Sequence, residues 1–392
     1  MAEKRFHTAG DAEIAAGKIT DVYFERTLQV LREKGRDKRV RAEFIAKKLP
    51  EGNSWGVLAG IEECMHLLSG LPVNVRTLEE GSLFYPLEPV MEVEGAYCDF
   101  AVFETALLGM ICQASGIATR AARCKKAAGP RAMISFGARR MHPAIAPMIE
   151  RSAYLGGCDG VAVGKSAELI SAEPTGTMPH ALILVMGNTV DAARAFHEVM
   201  DPKVKRIVLI DTFQDEKFET LNVAEALKGD LFAVRLDTPA SRRGDFYQIL
   251  REVRWELDLR GHGEVKLYVS GGLNDADIER LNPVVDGYGV GTFISNAPVV
   301  DFSMDIVEIE GKPLAKRGKW SGAKRVVSCD SCRTREILPL ESSETICPSC
   351  GESYTDHLLP LLEGGEVVRP VRTPEKIRDF VLCQIDRVPP VG

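Results

Sequence analysis

The side chains best suited to chemistry stand where short apolar runs end: SFGARR (135–140), IDTF (210–213), VRLDT (234–238), SGGL (270–273) and GVGT (289–292). In α/β barrels, charged residues and glycines at the ends of successive strands carry the chemistry. Arg139 and Arg140 offer fork-shaped donors suited to carboxylate or phosphate, and Phe136 offers a stacking face; taken alone, a surface pair of arginines is the plainer reading. Asp211 and Asp237 each end an apolar run and precede a threonine. Carboxylates there suit Mg²⁺ or sugar hydroxyls; capping a following helix is the plainer use. Arg235, two residues before Asp237, points to the same face by strand alternation. Gly271, Gly272, Gly289 and Gly291, with Thr292, occupy turns where backbone N–H groups can approach an anion and a helix can aim its positive end at it. They form the last two strand-to-helix loops, the usual phosphate site of a barrel, so a phosphorylated substrate is expected.

TGTMPHA (175–181) is the least ordinary segment. With Thr177 as N-cap, Pro179 falls in the first helical turn and His180 at the third helical position. A helix N-terminus there favours a neutral, nucleophilic imidazole and would stabilise a phosphoryl group placed on it. The alternative is a buried, hydrogen-bonded histidine. Farther on, CDSC (329–332) and CPSC (347–350) are separated by fourteen residues. Two such knuckles facing each other give Zn²⁺ four thiolates from Cys329, Cys332, Cys347 and Cys350, a closed and therefore structural site. A nucleic-acid-binding ribbon is the sharper alternative, since Lys316, Arg317, Lys319, Lys324 and Arg325 precede it.

These residues need a scaffold, and 392 residues of 45% hydrophobic composition fit two or three globular domains. The net charge of −7 gives no global field toward nucleic acid or anionic lipid. The remaining cysteines (Cys64, Cys98, Cys112, Cys124, Cys158, Cys383) read as reduced core residues. MAEKRFHTAG lacks a signal-peptide hydrophobic region and no run reaches the apolar length of a membrane span, so a cytoplasmic protein is expected.

Residues 10–49 read as helical, with Arg36–Arg41 a solvated turn and helix start. Short Val-, Leu- and aromatic-rich segments from 53 to 100, FAVFE included, predict a small mixed sheet. Two helices follow, 103–114 and one opening at SGIAT. From Gly129 onward six strand-like runs (RAMISFG, GVAVG, RIVLIDT, LFAVRLDT, VKLYVSGG, DGYGVGT) alternate with helical patterns, which predicts parallel strands in a barrel short of eight. The expected domains are an α/β sandwich over 1–105 with a return segment 300–325, a barrel over 106–299, and a zinc-binding module with tail over 326–392.

Together TDVYF (20–24), ALLGMICQASGIAT (106–119), SFGARR, TGTMPHA, IDTF, VRLDT, SGGL and GVGT resemble nicotinate phosphoribosyltransferase, of the type II phosphoribosyltransferase superfamily, in order and over most of residues 10–320. The resemblance implies an α/β sandwich beside an irregular open α/β barrel, with active sites completed across a homodimer or larger homo-oligomer. It implies that Tyr23, lent by a neighbouring subunit, and Phe136 hold the pyridine ring. Arg139 and Arg235 would lie around the pyridine and phosphoribosyl groups, and Asp211 and Asp237 at ribose and pyrophosphate. Gly271, Gly272, Gly289 and Gly291 would hold the 5′-phosphate, and His180 would be phosphorylated by ATP. The implied reaction joins nicotinate to phosphoribosyl pyrophosphate with Mg²⁺, in NAD biosynthesis. SGIAT and SGGL also resemble quinolinate phosphoribosyltransferase, which decarboxylates its substrate without ATP but is shorter and lacks a counterpart of TGTMPHA. A nicotinamide-using relative is a close variant, and a zinc-ribbon nucleic-acid-binding protein on an inactive barrel is the reading from another class. The cysteine module departs from many relatives and is taken as a structural addition.

Overall fold

The computed structural model describes residues 6–239, 241–242 and 244–388; the first five residues of the expected sandwich and the last four of the expected C-terminal module lie outside the described residues. The chain forms two compact units, Met1–Thr119 with Pro298–Gln384, and Arg120–Ala297 with Ile385–Gly392.

The first unit is built on a seven-stranded sheet in the order Lys312–Pro313, Phe302–Ile309, Arg39–Ala46, Pro89–Ala96, Asn74–Thr77, Leu359–Glu363 and Glu366–Val367. Along Arg39–Ala46, Val40, Ala42, Phe44 and Ala46 enter the hydrophobic core with Met91, Val93, Leu107 and Ile111. Alternation sends Arg41 and Glu43 to the other face. There Arg41 pairs with Glu92 at 2.6 Å and with Glu94 and Glu308 at 2.9 Å, and Glu43 pairs with Lys324 at 2.7 Å. This corrects the helical reading of 10–49. Helices occupy Asp11–Ala15 and Val22–Glu33, but the basic stretch after them runs into a central strand whose polar residues are neutralised by its neighbours.

FAVFE is likewise helical: Tyr97–Phe100 and Ala101–Phe103 lead into one helix, Glu104–Ala128. The break expected at SGIAT is absent. Ser115 Oγ accepts from Ala59 N–H at 3.0 Å, and a Cβ on Gly116 would lie 2.3 Å from the carbonyl oxygen of Pro298. These small residues permit close packing rather than a turn. Tyr97–Ala128 is long and apolar enough to cross a bilayer, which corrects the expectation that no such run exists. The fold uses it as a core helix, with Leu107, Ile111, Ala114, Ile117 and Ala118 buried.

Residues 326–384 belong to this same unit. Lys324–Ser328 pairs with Arg335–Pro339 and Thr355–Asp356 in a three-stranded sheet, while Leu359–Glu363 adds to the large sheet beside Asn74–Thr77. The basic stretch before the cysteines is mostly paired: Lys316 and Lys319 with Asp305, Lys324 with Glu43, and Arg325 with Asp356.

The second unit holds a six-stranded parallel sheet in the order Gly160–Val161, Ala132–Ser135, Gly287–Val290, Lys266–Val269, Ala233–Leu236 and Ile207–Leu209. These are the six apolar runs, and the expected helices lie between them. Further helices include Gly164–Leu169 and Glu216–Leu227; the second starts at Asp215, whose carboxylate accepts from Lys217 N–H at 3.0 Å. The half-barrel's two edge strands are bridged by TGTM: Thr175 N–H donates to Val161 O at 2.7 Å and Met178 N–H to Ile207 O at 3.1 Å. This irregular stave occupies the place of regular strands and accounts for the missing ones.

Candidate active site

The bridging stave delivers His180. Pro179 biases Met178 toward extended backbone, and Pro179 itself is the extended N-cap (φ −86°, ψ 156°) of the helix His180–Met186. Thr177 is therefore not the N-cap, and His180 is the first helical residue rather than the third. The Thr177 hydroxyl accepts instead from the Arg235 guanidinium.

His180 is held at the C-terminal end of the strands. Its Nδ1 lies 2.8 Å from Thr212 Oγ1, and its Nε2 faces Asp211 Oδ1 at 3.7 Å and Asp237 Oδ2 at 3.9 Å. Each aspartate commits one oxygen to the scaffold. Asp211 Oδ2 accepts from Asp237 N–H at 2.7 Å and lies 2.9 Å from Thr238 Oγ1, and Asp237 Oδ1 accepts from the Ser270 hydroxyl at 2.8 Å. The other oxygen of each is turned toward the imidazole, and Asp211 Oδ1 is buried without a hydrogen-bond partner. Burial raises the Asp211 pKa against the opposing pull of Thr238 and the Asp237 N–H.

Arg235 lies 3.8 Å from Asp237 Oδ2 and 5.3 Å from the centre of the Phe136 ring. Burial lowers its pKa, the two aspartates oppose that, and Arg139 adds to it as a second positive charge nearby. Two cations near an aromatic face and two carboxylates suit a ligand with both an anionic and a cationic part. Arg139 and Arg140 are exposed in the short turn Ala138–Arg140.

The glycines divide by role. Gly271 (φ 93°) and Gly272 (φ 68°) form the left-handed turn after Lys266–Val269, where a Cβ on Gly271 would meet Asp237 Oδ1 at 3.0 Å. Gly291 precedes Thr292–Ser295, which opens with Thr292. Gly289 lies inside its strand, not in the turn. A Cβ there would sit 2.2 Å from the Phe136 ring, so this glycine makes room for the aromatic face. Tyr23 belongs to the first unit, on Val22–Glu33, and is 55% exposed.

Thr212, Thr238 and Ser270 are the residues that sequence reasoning missed, and Thr177 has a different role from the cap expected of it. The threonine after each aspartate was the available signal. A cavity of about 1380 Å³ lies at the other end of the strands, lined by Arg131, Phe232, Arg254, Trp255, Lys266 and Asp286. It contains none of these groups.

In the first unit, Cys329, Cys332, Cys347 and Cys350 place their sulfurs within 4.8 Å of one another, an arrangement that could hold a metal ion. Cys329 and Cys350 are 3.3 Å apart and Cys332 and Cys347 3.4 Å, against about 3.8 Å between thiolates in a tetrahedral zinc site. The two knuckles repeat one backbone pattern. Arg333 N–H donates to Cys329 O and Gly351 N–H to Cys347 O, and both donors adopt positive φ.

Residues 21–115 match the family model described as quinolinate phosphoribosyl transferase, N-terminal domain, and residues 117–305 that of its C-terminal domain. The chain is 29% identical over 360 residues to nicotinate phosphoribosyltransferase pncB1 of Mycobacterium tuberculosis, covering 81% of this chain and 78% of that one. The crystal structure of nicotinate-nucleotide pyrophosphorylase from Pyrococcus furiosus superposes with a TM-score of 0.96 at 51% identity over 98% of each chain. That of human nicotinic acid phosphoribosyltransferase gives 0.75 at 19% identity over 95% of this chain and 94% of that one, a likeness of fold alone. With half its residues shared along nearly the whole of one such protein, and both units crossed by the family models, the chain belongs to the nicotinate and quinolinate phosphoribosyltransferase family, of type II fold.

Proposed function

We propose that the protein is a nicotinate phosphoribosyltransferase, forming nicotinate mononucleotide and pyrophosphate from nicotinate and phosphoribosyl pyrophosphate with coupled ATP hydrolysis, in NAD biosynthesis. The observation that carries this reading is the convergence of His180 Nε2 with the two uncommitted carboxylate oxygens of Asp211 and Asp237, beside Arg235 and Phe136. The nicotinate-using relative over 81% of the chain supports the substrate. In the transfer step the pyridine nitrogen attacks the anomeric carbon as pyrophosphate leaves. Phe136 presents the ring face, Arg139, Arg140 and Arg235 face anionic groups, and the carboxylates stabilise the cationic sugar. Gly271, Gly272, Gly291 and Thr292 form the 5′-phosphate cradle. Asp211 Oδ1 and Asp237 Oδ2 would hold Mg²⁺, which when bound neutralises pyrophosphate charge; the partnerless buried oxygen of Asp211 fits that use. The four cysteines would hold a structural Zn²⁺.

We also propose a cytoplasmic homo-oligomer in which Tyr23 completes a neighbouring subunit's site. The exposed apolar stripe Ile19, Val22, Tyr23 and Val30 supports an interface there.

The test is product formation from phosphoribosyl pyrophosphate with nicotinate, nicotinamide or quinolinate, each with and without ATP. Nicotinate mononucleotide from nicotinate, stimulated by ATP and losing that stimulation in His180→Ala, is the expected result. The quinolinate phosphoribosyl transferase descriptions of the matching family models favour a second reading, decarboxylating transfer to quinolinate. Release of CO₂ from quinolinate without ATP dependence would establish it.

A further inference from the structure

Resting on the ATP-coupled reading, we infer that Thr212 is a positioning residue that makes Nε2 of His180, rather than Nδ1, the atom that accepts the phosphoryl group. The imidazole is held between unlike surroundings. On one side Nδ1 meets a single neutral hydroxyl, Thr212 Oγ1, at 2.8 Å. On the other, Nε2 faces two carboxylate oxygens at 3.7 and 3.9 Å, both beyond hydrogen-bonding reach, so neither carboxylate fixes the ring. Among the described residues, the Thr212 contact is the side-chain hydrogen bond that does.

A neutral imidazole has one N–H and one lone pair. The Thr212 hydroxyl can donate or accept, so the roles follow the tautomer; in the tautomer whose Nδ1–H donates to Thr212 Oγ1, the lone pair is on Nε2, open toward the Asp211 and Asp237 side where a metal–triphosphate would lie. In the transfer, that lone pair forms the N–P bond to the γ-phosphorus of a nucleoside triphosphate. The bond to the β,γ-bridging oxygen breaks, and its electron pair leaves with the nucleoside diphosphate. The ring becomes a phosphoimidazolium that keeps its Nδ1 proton and its bond to Thr212. A half-turn of the ring would place Cδ2 against Thr212 and Cε1 toward the carboxylates, which forfeits both arrangements.

Phosphorylating the full-length, ¹⁵N-histidine-labelled protein with Mg²⁺–ATP and recording phosphorus–nitrogen and proton–nitrogen correlations reads the acceptor atom directly. Phosphorus on Nε2 is expected, and phosphorus on Nδ1 overturns the inference while leaving ATP coupling intact. Absence of phosphohistidine in a protein that still couples ATP overturns the coupling route itself, and the inference with it. Thr212→Val should lower ATP hydrolysis and steady-state phosphohistidine about tenfold, the order expected for losing one orienting hydrogen bond, while Thr212→Ser stays within about threefold of wild type. Equal melting temperatures for the two variants would show that the loss acts through the ring and not the fold. A valine variant that hydrolyses ATP at the wild-type rate refutes the role of Thr212.

Discussion

Gly289→Ala tests whether the face of Phe136 is set by the strand beneath it. The added methyl would lie 2.2 Å from Cε2 and 2.3 Å from Cδ2 of Phe136, and 3.2 Å from Ser270 Cβ. Carbon atoms settle at about 3.5–4.0 Å, so the ring must retreat by about 1.3 Å or more. Phe136 is only half-buried and can move outward, which keeps the overpacking penalty near the lower end of about 1–3 kcal/mol. At about 1 kcal/mol the melting temperature falls by about 2–4 °C for a unit of this size. Function should suffer more than stability. A retreating ring leaves its place 5.3 Å from the Arg235 guanidinium and tilts the surface on which the pyridine would stack. Loss of about 1.4 kcal/mol of stacking corresponds to a tenfold rise in KM for nicotinate. Initial rates at varied nicotinate and varied phosphoribosyl pyrophosphate, with a thermal melt, separate the two effects. The KM for phosphoribosyl pyrophosphate should change less than about twofold. Adding Phe136→Leu should recover the melting temperature but not the nicotinate KM, because it relieves the clash without restoring a ring. An unchanged nicotinate KM in Gly289→Ala would refute the assignment of Phe136 as the pyridine platform.

Three further outcomes are expected. Burial, Asp305 and Asp21 outweigh Lys316 and push the Glu104 pKa up to about 7. The folded state therefore binds a proton that the unfolded state, near 4.3, releases. The stabilisation is complete below about pH 4.3 and is lost as pH rises through about 7, so Glu104→Gln should gain about 1–2 kcal/mol relative to wild type between pH 5 and pH 8, after allowance for solvent screening. An equal difference in denaturant unfolding at the two pH values would contradict this. Protein purified without added zinc should carry about one zinc ion per chain, and a strong chelator should lower its melting temperature; a metal-free protein of undiminished stability would remove the zinc assignment. Gly271→Ala should weaken phosphoribosyl pyrophosphate binding about tenfold, since φ is 93° there and the new Cβ would press on Asp237 Oδ1 at 3.0 Å; unchanged binding would dissociate this turn from the phosphate cradle.

The half-barrel was legible because each of its strands is locally apolar and ends in a recognisable change of composition. IVLI before Asp211 and LYVS before Gly271 are such runs. Arg39–Ala46 was not, because its second face is ionic: Arg41 and Glu43 look solvated until Glu92, Glu94, Glu308 and Lys324 arrive from other parts of the chain. Non-local pairing of that kind leaves no trace in a local window. The same limit governed the glycines. Gly116 and Gly289 have the composition of breaks, yet one sits in a continuous helix beside Pro298 and the other in a strand under Phe136, and both are defined by what approaches them.

The site shows the same division between what residue type reveals and what geometry adds. His180, Asp211, Asp237 and Arg235 could be named from type and position, but nothing local indicated that each aspartate would spend one oxygen on its neighbours. Asp211 Oδ2 is taken by the Asp237 N–H and the Thr238 hydroxyl, and Asp237 Oδ1 by Ser270. The effect is to fix the direction of both remaining oxygens without neutralising them. A carboxylate so restrained can face a cation or a developing positive sugar with little reorganisation, which is where electrostatic stabilisation is largest. The hydroxyl residues around the aspartates thus govern where the charge points, and the stave 175–178, fixed to both edges of the half-barrel, governs where His180 meets it.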